Sequence, residues 1–157
     1  MDSNRRFNVV AFLVIAGILA LYSYTAFASG HPWALTCYQC RACNLNCPLG
    51  YDVASYMTAA VTNNPDLYMT ASNLQLTVRE AYDTDSGMTI EYNGERMTAG
   101  EAVKKIPGKT VVEVRELKAK DAARFDPLEG ACEKNIPLNL PITDVIRDLK
   151  DDGEFNE

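Results

Sequence analysis

The sequence contains one histidine and one tryptophan among its 157 residues. A single histidine excludes metal sites that are built from several imidazoles. There is no Cys-x-x-Cys-His segment, so covalent attachment of a c-type haem is not indicated. Basic side chains are also few, since 15 Lys and Arg stand against 21 Asp and Glu and the formal net charge is −6. An acidic chain lacks the positive surface that nucleic-acid binding requires.

The signatures of common catalytic sites are missing as well. The sequence has no Gly-rich phosphate loop, no nucleophile elbow and no paired histidines. We therefore expect a protein that is not an enzyme by itself.

Hydrophobic residues are concentrated near the N-terminus, where residues 7–28 include no charged side chain. As a helix this segment would span about 33 Å at about 1.5 Å per residue, enough to cross a bilayer core. Arg5 and Arg6 precede it, and the next basic residue is Arg41. The positive-inside rule then predicts a cytoplasmic N-terminus, with the remaining chain on the outer face of the cell membrane.

A cleavable secretory signal is the competing interpretation of this segment. Ala26-Phe27-Ala28 resembles a signal-peptidase site, and the two preceding arginines would serve as the charged n-region. The apolar stretch is longer than a usual signal core, which favours retention. We therefore predict an uncleaved signal-anchor over residues 1–30, in contact with membrane lipid, and an extramembrane domain over residues 31–157.

Four of the five cysteines lie in one short segment. Cys37, Cys40, Cys43 and Cys47, followed by Pro48, have the spacing C-x2-C-x2-C-x3-C-P of bacterial [4Fe–4S] ferredoxins. Thiolates three residues apart fit a tight loop that wraps one face of a cubane cluster, with backbone amides directed at the sulfurs. Two alternatives stay open. Disulfides suit an extracellular location, and a zinc site is compatible with four thiolates, although such sites usually consist of two separated cysteine pairs.

Residues 126–138 repeat part of this motif. Their sequence, DPLEGACEKNIPL, has five identities with CYQCRACNLNCPL of residues 37–49, and Cys132 aligns with Cys43. The other three cysteine positions of the second copy are occupied by Asp126, Glu129 and Ile136. The pattern indicates an internal repeat whose second copy has lost three of its four thiolates.

On these two segments the chain resembles the two-cluster ferredoxin-type subunits of membrane redox complexes. It is similar in style to the small iron–sulfur subunit of heterodisulfide reductases and to the iron–sulfur subunit of succinate dehydrogenase. The resemblance covers residues 37–49 well and residues 126–138 weakly, and residues 50–125 lie between them as an insertion. It implies an α+β, ferredoxin-like iron–sulfur domain behind a single transmembrane helix, with thiolates for one cluster.

The same resemblance leaves the fourth cluster ligand open. In two-cluster ferredoxins the last cysteine of one motif serves the other cluster. Cys37, Cys40 and Cys43 would then share a cluster with position 136, but Ile136 has no donor atom. Either the cluster is [3Fe–4S] and needs three thiolates, or a [4Fe–4S] cluster takes its fourth ligand from elsewhere. The candidates for that fourth ligand are Cys47, Cys132 and a thiolate of a partner subunit.

The counterpart of the lost second site would consist of Cys47, Asp126, Glu129 and Cys132. Two thiolates and two carboxylates are donors that zinc or iron accepts. The simpler expectation is that this site holds nothing, and that the two acidic residues are ordinary solvated side chains.

Two functions follow as expectations. The first is a membrane-anchored iron–sulfur subunit that relays electrons among the other subunits of a membrane redox complex. The alternative is a structural or assembly subunit in which the metal cluster only stabilises the fold.

Local signals predict the elements between and after the motifs. They are a helix from Asp52 to Val61, a helix over 72–82, a hairpin over 88–97 that turns at Asn93-Gly94, a helix from a Thr98/Glu101 capping box to Ile106, a strand over 110–114 and a helix over 143–149.

Overall fold

The computed structural model describes residues 3–128, 130, 132–133 and 140–155. This part of the chain is α+β, with a long N-terminal helix, a small antiparallel sheet and several short helices. The helices are α1 (Ser3–Ala28), α2 (Ala54–Thr62), α3 (Val78–Thr84), α4 (Ala99–Lys105), α5 (Ala119–Phe125) and α6 (Ile142–Asp151). The strands are β1 (Tyr68–Thr70), β2 (Gln75–Thr77), β3 (Thr89–Tyr92), β4 (Glu95–Thr98) and β5 (Val111–Lys118).

The N-terminal helix α1 confirms the predicted apolar helix. Its segment Arg6–Ala28 has a mean hydropathy of 2.1 and is long and apolar enough to span a membrane. Large apolar side chains along it face away from the rest of the protein, and Phe12 and Leu19 are 70% and 63% exposed. Only the last turn is buried against the domain, where Ala26 is fully covered.

The sheet is organised around β5, its longest strand. β1 and β2 pair with one edge of β5 in succession, β3 pairs with the other edge, and β4 pairs with β3, all antiparallel. Val112 and Val114 face the core, but the next buried position is Leu117. A register shift opposite Thr89 and Ile90 explains this change, because a bulge moves the alternation of side chains by one residue.

Two of the local predictions are confirmed in detail. Asn93 and Gly94 both have positive φ, 52° and 83°, as a type I′ hairpin turn requires. Thr98 begins α4 with a capping box, in which its hydroxyl accepts from the Glu101 N–H and the Glu101 carboxylate accepts from the Thr98 N–H. The β3–β4 hairpin and α4 therefore follow from short-range chemistry.

Other boundaries differ from the predictions. The helix predicted over 72–82 is wrong in its first half, because Gln75–Thr77 pairs with β5 as β2 and the helix begins only at Val78. The strand predicted over 110–114 continues to Lys118. Asp52 does not cap α2 as predicted: Val53 holds the cap position, and Asp52 instead accepts a hydrogen bond from the Ser55 hydroxyl at 3.1 Å. The sequence analysis predicted neither β1 nor α5.

Helix α6 contacts both the linker after α1 and the segment after α5. Its apolar face, with Val145, Ile146 and Leu149, is buried. From its outer face Asp148 contacts the buried His31 in the linker after α1, with 2.9 Å between Asp148 Oδ2 and His31 Nε2. Lys150 Nζ donates to the Asp126 carbonyl oxygen at 2.6 Å. The helix thus holds both cysteine-bearing segments close to the end of α1.

Candidate metal centre

The first three cysteines of the motif line one small cavity. We call residues 37–47 the cysteine loop; it begins after the 3-10 helix Pro32–Thr36 and includes the 3-10 helix Ala42–Asn46. The cavity has a volume of about 20 Å³. Its walls include the three cysteines Cys37, Cys40 and Cys43 and three apolar residues, Ala54, Leu140 and Ile142. The polypeptide therefore presents three thiols on one side of a cavity and hydrocarbon on the other.

The backbone between these cysteines is tightly turned. Gln39 and Arg41 adopt left-handed conformations, with φ of 52° and 59°. Such angles are uncommon for residues with large side chains and usually mark a local requirement of the structure. Each left-handed residue lies directly beside a cysteine, so the reversals bring Cys37, Cys40 and Cys43 to the same cavity.

The thiols of the loop influence each other electrostatically. Burial, together with the smaller effect of charge on Cys37 and Cys40, raises the pKa of the Cys43 thiol to about 11. A hydrogen bond to Cys40 raises the pKa of the Tyr38 hydroxyl. At neutral pH the Cys43 thiol therefore keeps its proton unless a cation replaces it, which is how metals bind to thiols in proteins.

Asn44 and Asp52 fasten the loop to the start of α2. The Asn44 side-chain amide donates to Asp52 Oδ1 at 2.6 Å, and Asn44 Oδ1 accepts from the Ala54 N–H at 3.3 Å. Asp52 also lies 4.0 Å from the Arg41 guanidinium. The sequence analysis missed this role of Asn44 and took Asp52 for a helix cap. The available signal was an Asn directly after the third cysteine, since Asn side chains often bond to nearby backbone groups.

The fourth and fifth cysteines belong to a second group. Cys132 is buried, and this burial, followed by the charges of Asp126, Glu133 and Cys47, raises the pKa of its thiol to about 12. The Tyr51 N–H donates to Cys47 Sγ at 3.3 Å. The charges of Asp126 and Cys47 therefore act on the Cys132 thiol, but among the described residues these three side chains do not form a group that could hold a metal ion. Glu129 and Ile136 lie outside the described residues.

Two tyrosines belong to the same hydrophobic core as Cys132, and Cys47 packs against that core. Tyr51 and Tyr56 are 1% and 0% exposed, and their rings meet edge to face at 6.5 Å. Among the described residues, neither hydroxyl has a hydrogen-bond partner. Burial raises the pKa of both hydroxyls, and the charges of Asp126 and Cys47 add to the effect. Both side chains therefore remain neutral and form an apolar wall beside Cys47.

All five cysteines lie within the described residues, and none of them is in a disulfide. In that same part of the chain, no three His, Cys, Asp or Glu side chains converge closely enough to hold a metal ion. A single ion needs all its ligands within one coordination shell. The ligands of a polynuclear cluster bind different irons and are separated by the width of the cluster. Within the described residues, Cys37, Cys40 and Cys43 line one cavity of about 20 Å³ without forming a group that could hold a single metal ion.

Comparison with known proteins assigns neither a family nor a function to this chain. The chain matches no protein family, no curated protein and no solved structure. Its function must therefore be argued from the placement and chemistry of its own residues.

Proposed function

We propose that this chain is a membrane-anchored iron–sulfur subunit that relays electrons within a multi-subunit membrane redox complex. The observation that carries the proposal is the arrangement of Cys37, Cys40 and Cys43, which have ferredoxin spacing and line one cavity. A cluster bound there would supply one-electron oxidation and reduction. The role of the protein is to ligate it, shield it from water and fix its distance to the next carrier.

The proposed ligands are the thiolates of Cys37, Cys40 and Cys43, with one cluster per chain. We propose a [4Fe–4S] cluster, whose fourth ligand is Cys47, Cys132 or a thiolate of a partner subunit; three thiolates alone would hold a [3Fe–4S] cluster. Leu140 and Ile142 cover one side of the cavity and lower the local polarity. Burial and nearby hydrogen bonds are the features by which proteins set cluster potentials.

The proposed location is the cell membrane, with α1 as a retained anchor, the N-terminus in the cytoplasm and the domain on the outer face. The exposed apolar surface of α1 supports insertion into lipid. Partner subunits are supported by a second apolar surface around the cysteine loop. Leu35, Tyr38 and Leu45 are exposed there, Leu45 to 88%, and contiguous exposed apolar side chains typically mark protein interfaces.

A structural or assembly role is the second candidate. It is favoured by the second motif, in which Cys132 remains buried beside Cys47 while three cysteine positions of that copy have been lost. In this role a cluster would stabilise the fold around the loop without exchanging electrons.

The test is anaerobic reconstitution of the full chain in detergent with iron and sulfide. We expect iron and sulfide in the ratio of one [4Fe–4S] cluster per chain, broad visible absorption and an EPR signal that appears on reduction and disappears on reoxidation. Bound zinc without sulfide would contradict an iron–sulfur function. A cluster that cannot be reduced reversibly would select the structural role over the relay.

The topology has its own test in right-side-out vesicles. Added protease should digest the domain while the vesicles are intact. Protection of the domain would show that the orientation is the reverse of the proposed one. N-terminal sequencing of the mature protein separates anchor from cleaved signal, since a chain that begins at Ser29 would have lost the helix.

A further inference from the structure

A second cavity lies between the N-terminal helix and the cysteine loop. Its volume is about 230 Å³. Tyr22 of α1 lines one side, Cys37 and Gln39 of the cysteine loop line another, and Thr58 and Val61 of α2 line a third. The cavity is thus shared by the anchor, the proposed cluster site and the domain core.

Contacts between α1 and α2 fix the position of this cavity. The Thr25 hydroxyl donates to the Val61 carbonyl oxygen at 2.6 Å, and Ala26 is fully buried. These contacts hold the C-terminal turn of α1 against the domain, while the preceding turns stay exposed and apolar. If α1 spans the membrane, the cavity lies at the boundary between the hydrocarbon and the headgroups, the level at which Tyr and Trp side chains are enriched.

The lining restricts the chemistry of a ligand. No Asp, Glu, Lys, Arg or His is found among the described residues that line the cavity. Phosphates, nucleotides and carboxylates would lose their hydration there without gaining an ion pair, which is unfavourable. The apolar wall includes Leu35, Met57 and Val61. A suitable ligand is therefore neutral, with an apolar part for this wall and polar atoms for the remaining lining.

Neutral hydrogen-bond donors face the apolar wall. The Gln39 side-chain amide donates one hydrogen to Thr58 Oγ1 at 2.7 Å, and the described residues offer no partner for its second hydrogen. The Tyr22 hydroxyl is another donor in the lining. Donors without a charge are suited to carbonyl oxygens.

The volume and position of the cavity narrow the class of possible ligands further. A volume of about 230 Å³ lies below the range of pockets that hold drug-sized ligands, about 300 Å³ or more, so a single substituted ring suits it better than a fused cofactor. Cys37 contributes to this cavity as well as to the cysteine-lined one. A ring bound here would lie directly beside a proposed cluster ligand.

We propose that this cavity binds the ring of a membrane-soluble quinone, whose carbonyl oxygens accept hydrogen bonds from Gln39 and Tyr22 and whose tail extends into lipid along α1. The inference rests on the proposed function, because it names the class of electron carrier that meets the cluster. It concerns binding alone, and no bond is made or broken by the chain.

The test uses the cluster-reconstituted full chain in phosphatidylcholine nanodiscs, titrated with decylubiquinone. Trp33, the only tryptophan, precedes the cavity-lining residues Ala34 and Leu35, so quenching of its fluorescence reports binding. We expect saturable quenching in the wild type. Gln39→Gly, which suits the positive φ, and Thr58→Val should each weaken binding at least tenfold while the visible spectrum of the cluster is unchanged.

The matched control is Thr84→Val. Thr84 lies in α3, outside the lining of the cavity, and its hydroxyl donates to the carbonyl four residues earlier, as that of Thr58 does. The control should bind decylubiquinone like the wild type. Quenching that never saturates, or that is equal in all four proteins, would overturn the quinone site even if the cluster is present.

This experiment tests the proposed cluster and the proposed quinone site independently of each other. Iron, sulfide and EPR report the cluster, whereas Trp33 fluorescence reports the quinone. A sample without a cluster that still binds decylubiquinone in a Gln39-dependent way would refute the iron–sulfur function and support the cavity as a quinone site.

Discussion

The cysteine loop and the five-stranded sheet are built in opposite ways. The sheet consists of antiparallel strands, and its fully buried side chains, such as Ile90 and Leu117, belong to one hydrophobic core. The loop has one 3-10 helix, two left-handed residues and only one buried cysteine, Cys43. Its fixed points come from elsewhere in the chain, from Asp52 and from the residues that begin α6.

This difference separates stability from function. The sheet buries enough apolar surface to hold itself together, so its sequence is constrained by packing. The loop keeps two left-handed residues with large side chains and the exposed thiol of Cys40, which add little to stability. Such features persist where a bound group needs them, which supports the loop as the functional part of the protein.

The largest effect is expected from Cys40→Ser in the cysteine loop. Because Cys40 is an exposed side chain and a proposed ligand, its loss should reduce bound iron at least tenfold and leave the sheet folded. Iron analysis and far-UV circular dichroism measure the two effects. Tyr38→Phe is the control and should keep the cluster. A Cys40→Ser variant with an unchanged cluster spectrum would show that this cysteine is not a ligand.

The opposite result, a loss of stability without loss of the cluster, is expected from Ile90→Ala in the sheet. Ile90 is fully buried in β3, so its truncation should lower the free energy of unfolding by about 2–5 kcal/mol. Urea denaturation in detergent measures this change, and the cluster should still assemble under conditions in which the variant is folded. Val111→Ala, at a 57% exposed position in β5, should change stability by about 0.5 kcal/mol or less. Equal effects of the two substitutions would contradict the assigned core.

A smaller effect is expected from Thr98→Ala at the start of α4. It removes the hydroxyl that accepts the Glu101 N–H, and lost helix caps lower stability by about 1 kcal/mol. The same denaturation experiment serves, with Thr70→Ala on exposed β1 as a control that should have less than half the effect. If both alanines behave alike, the capping box contributes nothing measurable.

The smallest effect concerns the buried carboxyl of Asp121 in α5. Burial raises its pKa, although the Arg124 guanidinium lies 3.6 Å away. A raised pKa means that the folded state binds the proton more tightly than the unfolded state. The wild type should therefore gain stability relative to Asp121→Asn as pH falls from 7 through the folded-state pKa, until the gain levels off below about 3.9.

Urea denaturation of both proteins between pH 3 and pH 7 would show this trend. An opposite slope would mean that the ion pair with Arg124 outweighs burial. Either result also shows how far α5 tolerates a buried charge.

Short-range chemistry was predictable from the sequence, and long-range pairing was not. Asn93-Gly94 and Thr98 specify a turn and a cap through their own backbone and side-chain preferences. The segment 72–82 has apolar residues at helical spacing, yet Gln75–Thr77 forms a strand because β5 offers it hydrogen bonds. That partner lies more than thirty residues away, and no local pattern reveals it.

The same distinction between short-range and long-range interactions applies to the candidate site. The spacing of Cys37, Cys40 and Cys43 predicted that they act together, because residues three apart can share one tight loop. The contribution of Leu140 and Ile142 to that cavity depends on where α6 packs, which is tertiary structure. The second cavity, beside Tyr22, could not be predicted from the sequence either, because it exists only once α1 and α2 are in contact.

The contact between His31 and Asp148 sets an order of events during synthesis. The two residues are 117 positions apart, and α6 also supplies Ile142 to the cysteine-lined cavity. On a ribosome the anchor and the cysteine loop emerge first, and the sheet is complete at Lys118, before α6 has been made. The cavity therefore closes last. The cysteines of the proposed cluster are therefore most accessible before α6 has been made.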